Sequence, residues 1–218
     1  MLGPAMATLL SVNLGTAKAT RFADAGVTGI DKRPASEPVA LRDPGPRLGF
    51  SGAAGDAICD ASSHGGTDQA VYAYAREDLD HWQAELGRAL SNGVFGENLT
   101  TAGLDVNGAL VGERWQIGDD CVVEVTSPRI PCRTFAGWLQ EQLWVKRFTD
   151  RAAPGAYLRV IVPGRVAGGD PVSVIHRPDH EVTIAMMFRA LTKEKVLQPQ
   201  LGAAGDALPE GLRRRLLA

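Results

Sequence analysis

Between Gly112 and Arg133 the chain runs in a two-residue period and is then halted by proline, and no other stretch constrains its fold as much. Gly112-Glu113-Arg114-Trp115-Gln116-Ile117-Gly118 sets apolar side chains at alternate positions, and Cys121-Val122-Val123-Glu124-Val125-Thr126 is β-branched and nearly all apolar on one face. Alternation of this kind predicts half-buried strands. Ser127-Pro128-Arg129-Ile130-Pro131-Cys132-Arg133 ends the second strand, because a proline fixes φ and cannot donate to a ladder. Phe95-Gly96-Glu97-Asn98-Leu99-Thr100-Thr101 precedes the alternating run. Each polar motif thus lies where a strand meets a loop, the usual place for a site.

The proline-bracketed segment carries the sharpest chemistry. It holds a thiol, Cys132, on a stiff backbone, with Arg129 and Arg133 beside it. Cationic neighbours favour a thiolate, which is the form that attacks electrophiles and binds metals. A buried structural cysteine is the alternative, since free cysteines are often buried.

Other polar stretches are open to two readings. His64-Gly65-Gly66-Thr67-Asp68 is either a tight turn capped by aspartate or a glycine loop whose amides cradle an anion. His64 with Cys59 makes only half a metal site. Asn98 can hold a polar heterocycle or order a loop, and Glu97 can donate a proton or close a turn. Cys59 reads as packing. Arg213-Arg214-Arg215 reads as a solvated helix end or as a surface for an acidic partner.

The chain has 218 residues, 44% of them hydrophobic and 22% charged, which suits one globular domain with at most a small appendage. Its net charge of -2 argues against nucleic-acid binding through bulk charge. Three cysteines without a CxxC form neither a disulfide framework nor a zinc finger, and predict a reducing, cytoplasmic setting. Met1 to Leu10 lacks a basic n-region and a long apolar core, no run is long enough to span a membrane, and Met6 reads as a natural start.

In order, strands are expected at Leu9–Leu14, Val39–Leu41, Ala70–Tyr74, Ala156–Val162 and Val172–Ile175, besides the two alternating runs. Helices are expected at Arg76–Leu90, with Leu79, Trp82, Leu86 and Leu90 as its stripe, and at Phe135–Phe148. Many short strands with regular turn signals predict a closed β-barrel with flanking helices, a mainly β fold with some α, over residues 8–175. Residues 177–218 predict a small helical appendage.

Several of these motifs, in order, resemble the MOSC domain (molybdenum cofactor sulfurase C-terminal domain), in the stand-alone bacterial branch that includes the hydroxylaminopurine reductases. The resemblance rests on Thr28-Gly29-Ile30-Asp31-Lys32-Arg33-Pro34, Gly55-Asp56, His64 to Ala70, Gly96 to Thr101, Gly112-Glu113-Arg114 and Pro128 to Cys132. It implies a MOSC-type barrel and a three-helix C-terminal appendage. It implies that Cys132 binds molybdenum and that Arg129 acts beside it in catalysis. Lys32, His64, Gly65, Gly66, Asp68, Glu97, Asn98, Thr100 and Arg129 would surround the molybdopterin, with Lys32 at its phosphate. The implied reaction is reduction of an N-hydroxylated compound to the amine and water. A dinucleotide or flavin fingerprint is not visible, so the electrons would come from a separate flavoprotein or ferredoxin-type donor. Two other functions fit the same residues: sulfur transfer through a Cys132 persulfide, or cofactor binding without turnover. A homodimer is left open, and no nucleic-acid or membrane partner is expected.

Overall fold

A computed structural model describes residues 7–217 of the chain. The reading of Met6 as a start lies outside the described residues.

The chain opens with β1 (Thr8–Gly15), the short pair β2 (Lys18–Ala19) and β3 (Val27–Thr28), then β4 (Lys32–Pro34) and β5 (Val39–Leu41). A long loop and a 3₁₀ turn at Thr67–Gln69 lead to β6 (Val71–Ala75), α1 (Arg76–Leu86) and β7 (Leu99–Ala102). The alternating runs form β8 (Arg114–Ile117) and β9 (Cys121–Pro128). Two helices, α2 (Arg133–Leu139) and α3 (Trp144–Arg151), precede β10 (Ala156–Val162), β11 (Gly164–Val166) and β12 (Val172–His176). The tail contains α4 (Ile184–Thr192), a 3₁₀ stretch at Lys195–Ala207 and α5 (Glu210–Leu217).

Eight strands make one sheet in the order β12-β8-β9-β10-β6-β7-β1-β4. The pairs are antiparallel except β6 with β7, which run parallel because α1 carries the chain back as a crossover. This mixed α/β sheet is open, which corrects the expectation of a closed barrel. The edges explain why. β4 ends on Pro34, and β12 is preceded by Pro171, so both edge strands are short and bounded by residues that cannot donate to a ladder. An isolated bridge from Thr8 to Pro171 and the Leu9 N–H bond to the Asp170 carbonyl bring strand ends together without a continuous ladder.

Two helix expectations also need correction. α1 ends at Leu86 because Gly87 takes the left-handed conformation, φ 64°, that closes a helix. The expected single helix at Phe135–Phe148 is two helices, broken where Gln140 and Leu143 adopt φ of 55° and 54°. Neither residue announces such a break, as glycine or proline would.

The core has two parts. One lies along the sheet, with Leu9, Trp115, Val123 and Leu158, and continues into the tail through Ile184, Met187, Leu201 and Leu208. The other is aromatic: Trp82 of α1 lies 4.6 Å from Trp144, and Phe95 packs 5.1 Å from Phe135 between ring centroids. Trp82 donates to the Tyr74 hydroxyl at 3.1 Å, which satisfies its buried N–H. This cluster underlies one end of the sheet and supports the candidate site.

Candidate functional site

Strands β10, β6, β1 and β4, with the residue just before β7, lay a polar row across the sheet. Tyr157 of β10 is the register partner of Tyr72 of β6. The Asn98 N–H donates to the Tyr72 carbonyl at 2.8 Å, and the Asn13 N–H to the Asn98 carbonyl at 2.6 Å. Gly15, further along β1, pairs with Lys32. Loops from both sides of this row close a pocket of about 100 Å³, walled by Lys32, Asp56, Cys59, His64, Gly65, Gln69, Tyr72, Asn98, Arg129, Cys132 and Tyr157. An outer cleft of about 650 Å³ shares Cys59, His64, Gln69, Cys132 and Tyr157 with it and extends to Ile130, Pro131 and Arg133. Together they have the size of a cofactor or small-ligand site.

The backbone at this pocket is shaped by glycine. Gly65 has φ of 85°, and a Cβ there would lie 2.6 Å from the Phe50 carbonyl oxygen. Gly96 has φ of 81°, and its Cβ would lie 3.1 Å from Ile30 and 3.7 Å from the Arg129 guanidinium.

Two buried cations face the pocket, and they are held differently. Lys32 is ion-paired with Asp56, and the side chains are 8% and 1% exposed. The Asp56 carboxylate also accepts from the Gly15 N–H at 2.8 Å, Ser51 Oγ at 2.8 Å and Asn98 Nδ2 at 2.9 Å. Burial lowers the Lys32 pKa, and the Asp56 charge opposes that. Arg129 lies over the rings of Phe135 at 4.8 Å and Tyr72 at 5.2 Å, cation–π contacts that suit a desolvated guanidinium. Its Nε is buried with no hydrogen-bond partner. Burial opposes its charge, but Tyr157, Tyr72, Cys132 and Glu97 outweigh that and raise its pKa.

Burial, reinforced by Arg129, lowers the His64 pKa to about 4, so its ring is neutral near pH 7. The ring Nδ1 lies 3.4 Å from the Tyr157 hydroxyl. Burial raises the Tyr157 pKa, which keeps that phenol protonated.

The structure brings Lys32, His64, Gly65, Asn98, Arg129 and Cys132 to one pocket from four segments of chain, but not every predicted residue joins them. Asp68 turns away to pair with Arg159 at 2.7 Å, and with Gly66 it lines a different cavity beside the tail. Glu97 is fully buried and accepts from the Gly93 N–H at 2.5 Å, the Phe95 N–H at 3.0 Å and Thr100 Oγ1 at 3.0 Å. It closes the turn, and Thr100 serves that turn rather than a ligand. Asn98 orders the loop: its amide donates to Asp56 and to the Asn13 carbonyl at 3.2 Å, and accepts from the Tyr72 N–H at 3.2 Å. Arg133 is exposed and paired with Asp24 on the outer cleft. Cys59, read from sequence as packing, stands on the pocket wall. Cys121 is fully buried, and burial pushes its pKa up to about 11. Asp56, Tyr72 and Tyr157 carry no sequence signal beyond Asp56's place in the Gly55-Asp56 motif, and Gln69 none beyond its place in the His64 to Ala70 motif. The roles of Asp56, Tyr72 and Tyr157 come from pairings across 24 or more residues.

A mixed sheet with a loop-built pocket that holds two thiols and two buried cations makes this an α/β protein with a candidate ligand site. The family model for the MOSC domain matches residues 60–173, and the chain belongs to this family. It is 35% identical to the uncharacterized protein YflK of Bacillus subtilis (strain 168) over 182 residues, 83% of this chain and 79% of YflK. It is 29% identical over 139 residues to a protein of Gibberella moniliformis (strain M3125 / FGSC 7600) named "Reductase", covering 62% of this chain but 25% of that longer protein. The crystal structure of YiiM from Geobacillus stearothermophilus superimposes with a TM-score of 0.76 over 97% of both chains, at 26% identity. The tail thus lies within the shared fold. No helix among the described residues is long and apolar enough to cross a membrane.

Proposed function

We propose that this MOSC protein binds a molybdenum cofactor at the Cys132 pocket and reduces N-hydroxylated compounds with electrons from a separate donor protein. The observation that carries this reading is the pairing of Cys132 with Arg129, a buried guanidinium whose Nε has no protein partner, in one pocket. The residues present fit such a group. Gly65 admits close approach of a ligand to the backbone. Among the described residues no three His, Cys, Asp or Glu side chains gather as metal ligands, so a metal at Cys132 brings other ligands with it. A thiolate suits a soft metal held by sulfur.

Cys132 would hold the metal, and Lys32 and Arg129 the anionic part of the cofactor. When bound, the cofactor supplies the redox centre for a two-electron reduction. The chain's own part is positioning and charge. Asp56 fixes Lys32, the aromatic cluster fixes Arg129, and the buried guanidinium places positive charge in the pocket that Cys132 lines. Tyr157 and neutral His64 hold a protonated phenol on the same wall, within reach of both cavities. The fungal relative named "Reductase" supports the reaction class.

The test is reduction of a panel of hydroxylamines, N-oxides and amidoximes by protein of verified molybdenum content, with reduced viologen as donor. The expected result is turnover that falls by about 10²–10³ in Arg129→Ala with molybdenum retained, the usual cost of one preorganised charged group. Fully loaded protein that reduces nothing on the panel overturns the reading.

A further inference from the structure

Cys59 and Cys132 lie 73 positions apart in sequence, yet both are walls of the inner pocket and of the outer cleft. Both are free thiols of intermediate exposure, while the third cysteine, Cys121, is buried elsewhere. A continuous line of neighbours joins the two. Cys132 and Tyr157 share the walls of both cavities, the Tyr157 hydroxyl meets His64, and the His64 backbone N–H donates at 3.2 Å to the carbonyl of Asp60, next to Cys59. The segment carrying Cys59 is fixed at its ends. Asp56 is held by four donors, and the Gly66 N–H bonds to the Phe50 carbonyl at 3.0 Å. Between these anchors, residues 57–63 contain no strand or helix. Bringing Cys59 within the Cα spacing of about 4.4–6.8 Å that a disulfide needs would break no strand ladder, since residues 57–63 belong to none.

We propose that Cys59 is the resolving partner of Cys132, and that a peroxide converts the pair to a reversible disulfide. The chemistry balances with hydrogen peroxide as oxidant. The Cys132 thiol is oxidised to the sulfenic acid with release of one water. The Cys59 sulfur then displaces the hydroxyl, which leaves with a proton as a second water as the S–S bond forms. Both thiols are oxidised and the peroxide is reduced. The disulfide removes Cys132 from the pocket's chemistry and spares it from irreversible oxidation. A thiol reductant restores both groups. This inference concerns the chain with Cys132 unligated, and its test does not depend on the reductase reading.

The experiment treats the full-length protein with stoichiometric hydrogen peroxide and follows thiol titration and peptide mass spectrometry. The expected result is loss of two of the three free thiols, a linked pair of peptides containing Cys59 and Cys132, and full recovery with dithiothreitol. In Cys59→Ser, with native circular dichroism, Cys132 should instead advance to sulfinic and sulfonic acid that dithiothreitol does not reverse. Wild-type protein whose Cys132 over-oxidises as fast as in Cys59→Ser, or whose cross-links join separate chains or involve Cys121, overturns the proposal.

Discussion

At the residue scale, the site is a set of charges held out of water. His64 shows the consequence for stability. Its folded pKa of about 4 lies below the ordinary 6.5, so the unfolded chain takes up the proton first. Above pH 6.5 the group is neutral in both states and contributes nothing. As pH falls from 6.5 towards 4 the unfolded state is favoured, by up to about 3 kcal/mol. Thermal unfolding should therefore show a loss of stability between pH 7 and pH 4 that His64→Gln reduces; identical pH profiles would show that His64 is not the buried base described here. Cys132 and Arg129 stood out in the sequence because prolines bracket them and charge flanks the thiol, whereas Lys32 entered only through the family resemblance. Asp56 in its pairing role and Tyr157 did not stand out, because a carboxylate's burial and a strand tyrosine's direction depend on distant partners.

At the scale of elements, Asp56 fastens the end of β1 and the start of β4 to the loop before β7. Asp56→Ala leaves the Lys32 ammonium buried and unpaired, a loss of about 3–5 kcal/mol. Asp56→Ala with Lys32→Met removes both charges and should recover much of that stability, since removing both buried partners costs less than removing one. Urea midpoints of the two variants measure this; a double variant no more stable than the single one would show that the pair is not the source of the loss. The strands were legible because their period is two, and nearly every alternating run became a strand. Helix ends were less so. Gly87 is a visible stop, whereas the break between α2 and α3 falls on Gln140 and Leu143, which carry no turn signal, just before Trp144 and Phe148 enter the aromatic cluster.

At the scale of the whole molecule, local pattern could not decide between a closed barrel and an open sheet, because closure depends on how the edge strands meet. The division into residues 8–175 and 177–218 is proposed as organisation, and the tail's packing bears on it directly. Ile184, Met187, Leu201 and Leu208 are buried with the strands of the sheet, and Arg159 of β10 donates to the Ala207 and Leu208 carbonyls at 3.3 and 3.4 Å. Removing several such side chains at about 2–5 kcal/mol each exceeds the stability of an ordinary domain. Protein ending at residue 176 should thus be insoluble or unfolded by circular dichroism; a cooperatively folded truncation would show that the tail is an independent appendage.

The account turns on Cys132 as the ligand in a cofactor pocket, and molybdenum content tests it most directly. Wild-type, Cys132→Ser and Cys121→Ser proteins made in a cofactor-competent host would be compared by elemental analysis after confirmation of native folding. The account predicts stoichiometric molybdenum in the wild-type and Cys121→Ser proteins and its loss from Cys132→Ser. Equal molybdenum in Cys132→Ser, or none in the wild-type protein, would contradict it.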